Sequence, residues 1–321
     1  MSSTPSALPS VTSLTLDSFR PETLDAAVTG GAIDHIQLGP GRFVGHMLHA
    51  ELGDCVLDYG AYNLPLLACG GMPADRVVLG FVGSAVSDGN LNGRVVQDAA
   101  VVALAEGSEL HYHLAPQTRW MGFQVARTTL EQLGAELGPQ RATFPPLEPA
   151  RRDQVARHVA ASIATLRAIE TQDREILNSR QAARALCEGL TASLVAAFPA
   201  NDERAEATDH TWRRRTRIVR RTRDYFDANL AEPVRVTQLC RHVGASVKSI
   251  ERAFVEICGA NPKQFLTLMR MARARRLLLA ARGGETTVVD IATACGFFHL
   301  GRFSKGYATL YGELPSATLL S

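Results

Sequence analysis

The chain has 321 residues, of which 46% are hydrophobic and 21% charged, so it is neither disordered nor fibrous. Its formal net charge is only +2, but the charge is unevenly distributed. Residues 211–321 contain 19 Lys and Arg against 8 Asp and Glu, a net charge of +11, which leaves −9 for residues 1–210. This asymmetry favours a nucleic acid or a membrane surface as the partner of the basic part.

Several features argue against membrane insertion and secretion. The sequence contains no run of about 18 consecutive apolar residues, and residues 1–13 lack the basic and apolar regions of a signal peptide. We therefore expect a cytoplasmic protein with no membrane contact, whose basic part binds nucleic acid. The six cysteines are widely spaced without a C-x-x-C pair, so we expect reduced, mostly buried thiols and no metal or other cofactor.

Residues 1–150 have the pattern of many short strands. Glycine-containing turn signals separate runs of strand-forming residues at 43–52, 54–59, 76–82, 93–104 and 120–127. Short strands with regular turns predict a β-rich sandwich or barrel.

Residues 151–200 are predicted to form a helical pair. Apolar residues recur at three- and four-residue spacing from Val155 to Ile169, and a second apolar stripe continues to Phe198. This pair packs either on its own β domain or on a second subunit, and we expect it to serve dimerisation in a homodimer. Residues 201–212, which are mostly polar and acidic, are predicted to be a linker.

Residues 213–321 are predicted to be entirely helical and to contain one unit twice. Each unit has a short helix, a glycine turn at Gly244 or Gly296, and a longer helix with Arg and Lys. A long helix over 262–282 joins the two units. A short helix, a turn and a second helix form a helix-turn-helix unit, whose second helix fits the DNA major groove.

The outward faces of the two longer helices provide the candidate DNA contacts. Lys248, Glu251 and Arg252 share one face of the first helix, and Arg302 and Lys305 lie on the second. Arg and Lys donate to guanine, and Glu accepts from cytosine, so these side chains are candidates for reading bases. Phosphate or auxiliary contacts are assigned to Ser246, Ser249, His299 and Ser304. A solvated helix face is the alternative, but the duplication and the basic charge favour DNA.

The stretch 217–319 resembles the DNA-binding domain of the AraC/XylS family of bacterial transcription regulators. The resemblance rests on S-V-K-S-I-E-R-A-F at 246–254, D-I-A-x-x-C-G-F at 290–297, and F-S-K-x-Y to Y-G-E-L-P at 303–315. The sequence of residues 296–303 is similar to that of the subgroup that includes the ethanolamine-utilisation regulator.

The resemblance implies roles for particular residues. It implies that the first helix reads bases through Lys248, Glu251 and Arg252, and the second through positions 301, 302 and 305. Gly301 departs from the polar residue common there, which leaves Arg302 as the main reader of the second helix. The resemblance also implies that the N-terminal part is a sensing and dimerisation domain, often cupin-like.

The histidines of the N-terminal part are candidates for the metal site of an enzyme. His111 and His113 would share one face of a strand and are candidate metal ligands, but no glutamate follows them at a suitable distance. His46 and His49, near Glu51, are spaced so that they point to opposite faces of a strand. We therefore expect no enzyme, no catalytic residue and no metal site.

The sequence thus predicts an α+β multidomain transcription regulator with a cupin-like N-terminal domain and an all-α DNA-binding domain. We expect it to bind double-stranded promoter DNA, to act with RNA polymerase as an activator, and to respond to a small effector that the sequence does not name. Two alternatives stay open. One is control by a protein partner, and the other is a cupin-like metal enzyme fused to a DNA-binding domain.

Overall fold

The computed structural model describes residues 9–83, 86–133, 142–145, 147–172, 180–198, 209–281 and 286–321. Up to residue 145 the described chain is mainly β-structure. Its strands are β1 (Ser10–Leu16), β2 (Ala32–Gln37), β3 (Gly45–Leu52), β4 (Cys55–Tyr62), β5 (Leu66–Gly71), β6 (Val77–Gly83), β7 (Gly89–Leu91), β8 (Arg94–Val96), β9 (Ala100–Leu104), β10 (Glu109–Leu114), β11 (Arg119–Val125) and β12 (Ala142–Thr143). Its two short helices are α1 (Pro21–Asp25) and α2 (Arg127–Gln132).

The strands form two sheets in which every described pair is antiparallel. The larger sheet has the order β1-β3-β4-β11-β6-β9-β12, and the smaller has the order β2-β5-β10-β7-β8. Side chains from both sheets meet in one apolar core. The predicted β-rich N-terminal part is therefore confirmed, although the described strands do not close into one barrel and the cupin-like detail stays a prediction.

The predicted helical pair is present as α3 (Pro149–Gln172) and α4 (Arg180–Val195). Val155, Val159, Leu190 and Leu194 of this pair are at most 4% exposed and pack on the outer face of the seven-stranded sheet. The apolar stripe covers the chain's own sheet, because that sheet has an apolar outer face of its own. It is therefore not free to bind a second subunit, and a dimer would have to use other faces of these helices.

One prediction about the cysteines is wrong. Cys55 on β4 and Cys187 on α4 form a disulfide, with their Cα atoms 6.2 Å apart. The two residues are 132 positions apart in sequence, so their spacing gave no sign of the pairing. The disulfide joins the helical pair to the seven-stranded sheet. The free cysteines are Cys69, Cys240, Cys258 and Cys295.

From residue 209 onward the described regular structure is helical. The helices are α5 (Asp209–Ala228), α6 (Val236–Val243), α7 (Val247–Cys258), α8 (Pro262–Ala280), α9 (Val288–Ala294), α10 (Leu300–Tyr311) and α11 (Pro315–Leu319). Helices α6 to α10 agree with the predicted helices to within a few residues, α5 begins earlier than predicted, and α11 was not predicted. Residue 282, the end of the predicted long helix, and most of the predicted linker, 201–208, lie outside the described residues. No described helix is long and apolar enough to cross a membrane.

The five-stranded sheet lies between the seven-stranded sheet and the C-terminal helices. Ile36 on β2, and Leu67 and Cys69 on β5, point away from the other sheet and pack against residues of α5 and α7. The opposite face of the same strands belongs to the core between the two sheets. Both faces of this sheet are therefore buried, and the sheet connects the N-terminal part with the helical part.

Candidate nucleic-acid interface

The C-terminal helices form the two predicted helix-turn-helix units. In the first unit, α6 and α7 are joined through Gly244, whose φ is +71°. In the second, α9 and α10 are joined through Gly296, whose φ is +78°. A Cβ atom on Gly296 would lie 2.8 Å from the carbonyl oxygen of Leu230, so both the backbone conformation and the space require glycine.

Polar side chains cap the starts of C-terminal helices. The Ser246 hydroxyl accepts a hydrogen bond from the backbone N–H of Ser249 at 3.3 Å, and the two hydroxyls are 2.9 Å apart. Thr287 and Asp290 cap each other reciprocally at the start of α9. Ser246 and Ser249, which were predicted to contact phosphate, therefore also stabilise the first turn of α7.

Helix α7 has one buried and one exposed face. Ile250 and Phe254 are at most 2% exposed and belong to the helical core. Lys248, Glu251 and Arg252 are all exposed. The three predicted base-reading residues of the first unit therefore share an open surface, which the N-terminal part does not cover.

Helix α10 shows the same division. Phe303 and Tyr307 are at most 1% exposed and pack against α8 and α9. The outward face carries Arg302 and Lys305, both exposed, with the exposed His299 and Gly301 beside them and Ser304 half-buried. His299 is the N-cap residue of α10, but its side chain makes no capping hydrogen bond. The side chains predicted for the second unit are thus presented together.

Arg252 has a carboxylate partner that the sequence analysis did not identify. Its Nε lies 2.8 Å from Oε1 of Glu256, one turn further along α7. The other oxygen of Glu256 lies 2.6 Å from Nη1 of Arg215 on α5. Glu256 therefore links α5 to the candidate reading face. The spacing of four residues between Arg252 and Glu256 was a signal that could have indicated the pair.

Helix α8 contains an arginine that is fully buried. The guanidinium of Arg275 donates to the backbone oxygen of Phe19, to Tyr307 Oη at 3.1 Å and to Glu313 Oε1 at 2.8 Å. It therefore joins α8, α10 and the N-terminal part. Its position on the same face of the helix as the buried Met271 was the available sequence signal.

Ion pairs connect the acidic N-terminal part with the basic helical part. Arg276 on α8 binds Asp25 of α1 through two hydrogen bonds of 2.6 and 3.1 Å. Arg220 on α5 lies 2.7 Å from Glu109 of β10. Part of the charge asymmetry in the sequence is therefore used in contacts between the two parts of the molecule.

The N-terminal histidines form different contacts from those of a metal site. Nδ1 of His49 lies 2.9 Å from Oδ1 of the buried Asp58, and this hydrogen bond raises the pKa of His49. The Thr29 hydroxyl lies 3.0 Å from the same Nδ1 atom. Thr29 and Asp58 therefore contact one ring nitrogen, whereas a catalytic Thr-His-Asp relay would use both. Within the described residues, no group of three or more His, Cys, Asp or Glu is placed to hold a metal ion.

His111 and His113 lie on one side of β10, as the strand spacing predicts, but this side faces the C-terminal helices. On the same side Glu109 binds Arg220, and His113 lies beside Gly259 at the end of α7. Burial lowers the pKa of His111 to about 4. The H-x-H pair therefore belongs to the contact between the two parts of the chain and does not line the space between the sheets.

Residues 239–320 match a family model described as a helix-turn-helix domain. The chain is 39% identical over 102 residues to the probable thc operon regulatory protein of Rhodococcus erythropolis, which is 32% of this chain and 31% of that protein. It is 30% identical over 95 residues to the XylDLEGF operon transcriptional activator of Pseudomonas putida, which is 30% of each. The matched part thus spans less than a third of these curated relatives.

One solved structure, a probable AraC family transcriptional regulator from Rhodopseudomonas palustris, is 35% identical, with a TM-score of 0.30, over 32% of this chain and 94% of that chain. The repeated units and the family model define the C-terminal part as a helix-turn-helix DNA-binding domain. The two curated relatives are described as an operon regulatory protein and an operon transcriptional activator, and the family model agrees with the helix-turn-helix domain that the motifs predicted.

Proposed function

We propose that the whole chain is a sequence-specific DNA-binding transcription regulator that reads promoter DNA with α7 and α10. The observation that carries the proposal is the exposure of both outward helix faces, with Arg and Lys on each, in a molecule whose two parts are already docked. Two recognition helices joined by a rigid helix suit adjacent segments of the major groove, about one helical turn or 34 Å apart.

The proposal assigns base reading to exposed side chains of the two helices. These are Lys248, Glu251, Arg252, Arg302 and Lys305. Arg252 and Arg302 are suited to bidentate contacts with guanine, and Glu251 can accept from cytosine. Ser246, Ser249, His299 and Ser304 are assigned to phosphate or auxiliary contacts.

We also propose the division of labour along the chain. Residues 1–150 form a cupin-like sensing domain, 151–200 support a homodimer, 201–212 form the linker, and 213–321 bind DNA. The regulator acts with RNA polymerase as an activator and responds to a small effector. The sequence of residues 296–303 supports membership of the subgroup that includes the ethanolamine-utilisation regulator.

The alternative of a metal enzyme fused to a DNA-binding domain gains no support from the histidines. His111 lies on the side of β10 that faces the helices, where Arg220 and Arg223 disfavour a further positive charge. Metal analysis of the purified chain tests the alternative. Stoichiometric metal that is lost in His111→Ala would revive it.

Selection of the full-length protein on a pool of random duplexes tests the proposed function. We expect an enriched sequence with two preferred blocks whose centres are about one helical turn apart. Affinity for it should fall steeply with salt, because bound Lys and Arg release counterions from the phosphates. Recovery of duplexes without any common sequence would contradict the proposal.

A further inference from the structure

A cavity of about 60 Å³ lies between the two sheets of the N-terminal part. Its walls come from β2, β5, β7 and β10 on one side and from β6, β9 and β11 on the other. Most of the lining side chains are aliphatic or aromatic, and none of the described residues in the lining is Asp, Glu, Lys or Arg. A charged occupant would therefore lose its hydration without gaining a counter-ion.

Two polar side chains in this wall have an atom without a partner. Nδ1 of His35 and the hydroxyl of Tyr112 are buried and form no hydrogen bond within the described structure. The two residues are only 3% and 6% exposed, respectively. Buried polar atoms in proteins are normally satisfied, so this pair indicates a missing hydrogen-bond partner.

The register of the sheet places these two side chains opposite each other. His35 on β2 and Tyr112 on β10 are both direct partners of Ala68 on β5. They therefore point from the same face of the sheet, two strand spacings or about 10 Å apart. Ala68 has only a methyl side chain, so it leaves a gap between the larger side chains of His35 and Tyr112.

Both polar groups are neutral under physiological conditions. Burial lowers the pKa of His35 to about 4, and burial raises the pKa of Tyr112 above its ordinary value. The phenol and the neutral imidazole can each donate or accept one hydrogen bond, according to the tautomer of the ring. A hydroxyl group, which also donates and accepts, is the simplest partner for either.

We propose that this cavity binds a short-chain aliphatic alcohol, whose carbon chain lies against the apolar walls and whose hydroxyl bonds to Tyr112. At about 15 Å³ of such space for each water-sized group, the cavity holds about four heavy atoms, the number in 1-propanol. Met72 and Met121 in the wall provide adaptable side chains for a slightly longer chain. The proposal rests on the proposed role of the N-terminal part as the sensor.

Strand β2 connects the cavity with the DNA-binding part. His35 faces the cavity, and the adjacent Asp34 points to the opposite side, where its carboxylate lies 3.5 Å from Nη2 of Arg223 and 3.6 Å from Nη2 of Arg276. A ligand that moves His35 therefore also moves the residue that pairs with α5 and α8. Occupancy of the cavity is in this way coupled to the docking of the helices.

Titration of the full-length protein with 1-propanol, followed by NMR of ¹³C-methyl-labelled methionine, tests the proposal. We expect saturable shifts of Met72 and Met121 in the millimolar range, because so few heavy atoms give weak binding. Met269, which lies in the helical core, provides the internal control. Propionate, which has the same number of carbons but a charge, and glycerol, which has three hydroxyls, are expected to give no saturable shift.

Variants decide whether the cavity is the site. Tyr112→Phe should weaken 1-propanol binding at least about fivefold by removing a hydrogen-bonding hydroxyl, and Ala68→Leu should abolish it by filling the gap. Tyr59→Phe, the same change in the other core of the N-terminal part, should leave binding unchanged. Saturable binding of propionate, or 1-propanol binding that Tyr112→Phe does not weaken, would overturn the proposal even if Ala68→Leu failed to fold.

The same samples separate this proposal from the proposed function. Saturating 1-propanol should change the affinity of the wild type for its selected duplex and leave that of Tyr112→Phe unchanged. Shifts at Met72 and Met121 in a protein that selects no DNA sequence would support the cavity and contradict the regulator. DNA selection without any saturable shift would overturn the cavity and leave the regulator supported.

Discussion

At the scale of single residues, Glu256 orients Arg252, which we propose to read a base. Its carboxylate binds the Nε atom of Arg252 and also pairs with Arg215 on a different helix, so the guanidinium is held in one orientation. An arginine that is oriented before binding loses less side-chain entropy when it forms a bidentate contact with guanine. Glu256 is therefore expected to act as a positioning residue.

Substitution of Glu256 by Gln tests this role. We expect Glu256→Gln to lower the ratio of affinities for the selected and a shuffled duplex by about two- to fivefold, the range typical of an exposed ion pair. Glu232→Gln, the same change at an exposed glutamate outside the recognition helices, is the control and should leave the ratio unchanged. Equal weakening on both duplexes would show that Glu256 supports only the fold.

The buried histidines make stability depend on pH. Burial lowers the pKa of His35 and of His111 to about 4, whereas an unfolded histidine titrates near about 6.5. Between these values the unfolded chain binds protons that the folded chain does not, so the free energy of unfolding falls as the pH falls. The loss is at most about 1.4 kcal/mol per pH unit for each histidine.

Denaturant unfolding between pH 7 and pH 5 measures this slope. We expect His111→Gln to reduce it, and the double variant with His35→Gln to reduce it further. His49 contributes with the opposite sign, since its pKa is raised by Asp58 and its stabilisation is lost as the pH rises above about 6.5. An unchanged slope in the double variant would contradict the burial of neutral imidazoles.

At the scale of elements, the turn glycines Gly244 and Gly296 define the geometry of the recognition helices. Gly296 has a positive φ and no room for a Cβ atom, whereas Gly301 lies inside α10 with no atom within 4 Å of a Cβ built on it. Gly296→Ala is expected to lower the free energy of unfolding by about 1–3 kcal/mol. Gly301→Ala, the matched control, should raise it by about 0.5 kcal/mol. Similar effects of the two substitutions in chemical denaturation would contradict this account of the turn.

The sequence was most informative where local chemistry determines structure. Ser246, the pair Thr287 and Asp290, and the pair Asn261 and Gln264 cap their helices, because side-chain oxygens satisfy backbone N–H groups at any helix start. The strands were predicted less completely than the helix starts. The predicted run at 93–104 is divided into β8 and β9, since Ala99 in between has a φ of +56° that no local pattern indicated.

The sequence could not predict contacts between distant parts of the chain. The roles of Arg275, Arg276 and the disulfide of Cys55 with Cys187 depend on which surfaces meet, and composition contains no information about that. The candidate reading face was predictable because it follows from the helical period of a single element. Its connection through Glu256 to α5 was not, because Arg215 is 41 positions away in the chain.

At the scale of the whole molecule, the acidic part is docked on the basic part without covering the recognition helices. Ion pairs such as Arg276 with Asp25, together with the buried outer face of the five-stranded sheet, hold the two parts together. The residues that we propose to read DNA stay exposed in this arrangement. Docking is therefore compatible with the proposed DNA binding and provides a route by which the proposed sensing part would influence it.

A double-mutant cycle measures the contribution of the docking ion pair. We expect Asp25→Asn and Arg276→Gln to be non-additive in the free energy of unfolding, with a coupling of about 0.5–1.5 kcal/mol for this half-buried, bidentate pair. The surface pair Arg184 and Glu188 is the control, and its coupling should be at most about 0.5 kcal/mol. Equal coupling in both cycles would argue against a specific docking contact.

The central claim is that each recognition helix reads its own part of one DNA site. The most direct test measures affinities of the full-length wild type, Arg252→Ala and Arg302→Ala for the selected duplex and for all its single-base variants. Each substitution is expected to cost about 1–3 kcal/mol on the selected duplex and to remove base preference in one block only, a different block for each arginine. Uniform loss of affinity across all duplexes, with base preferences intact in both blocks, would contradict the claim.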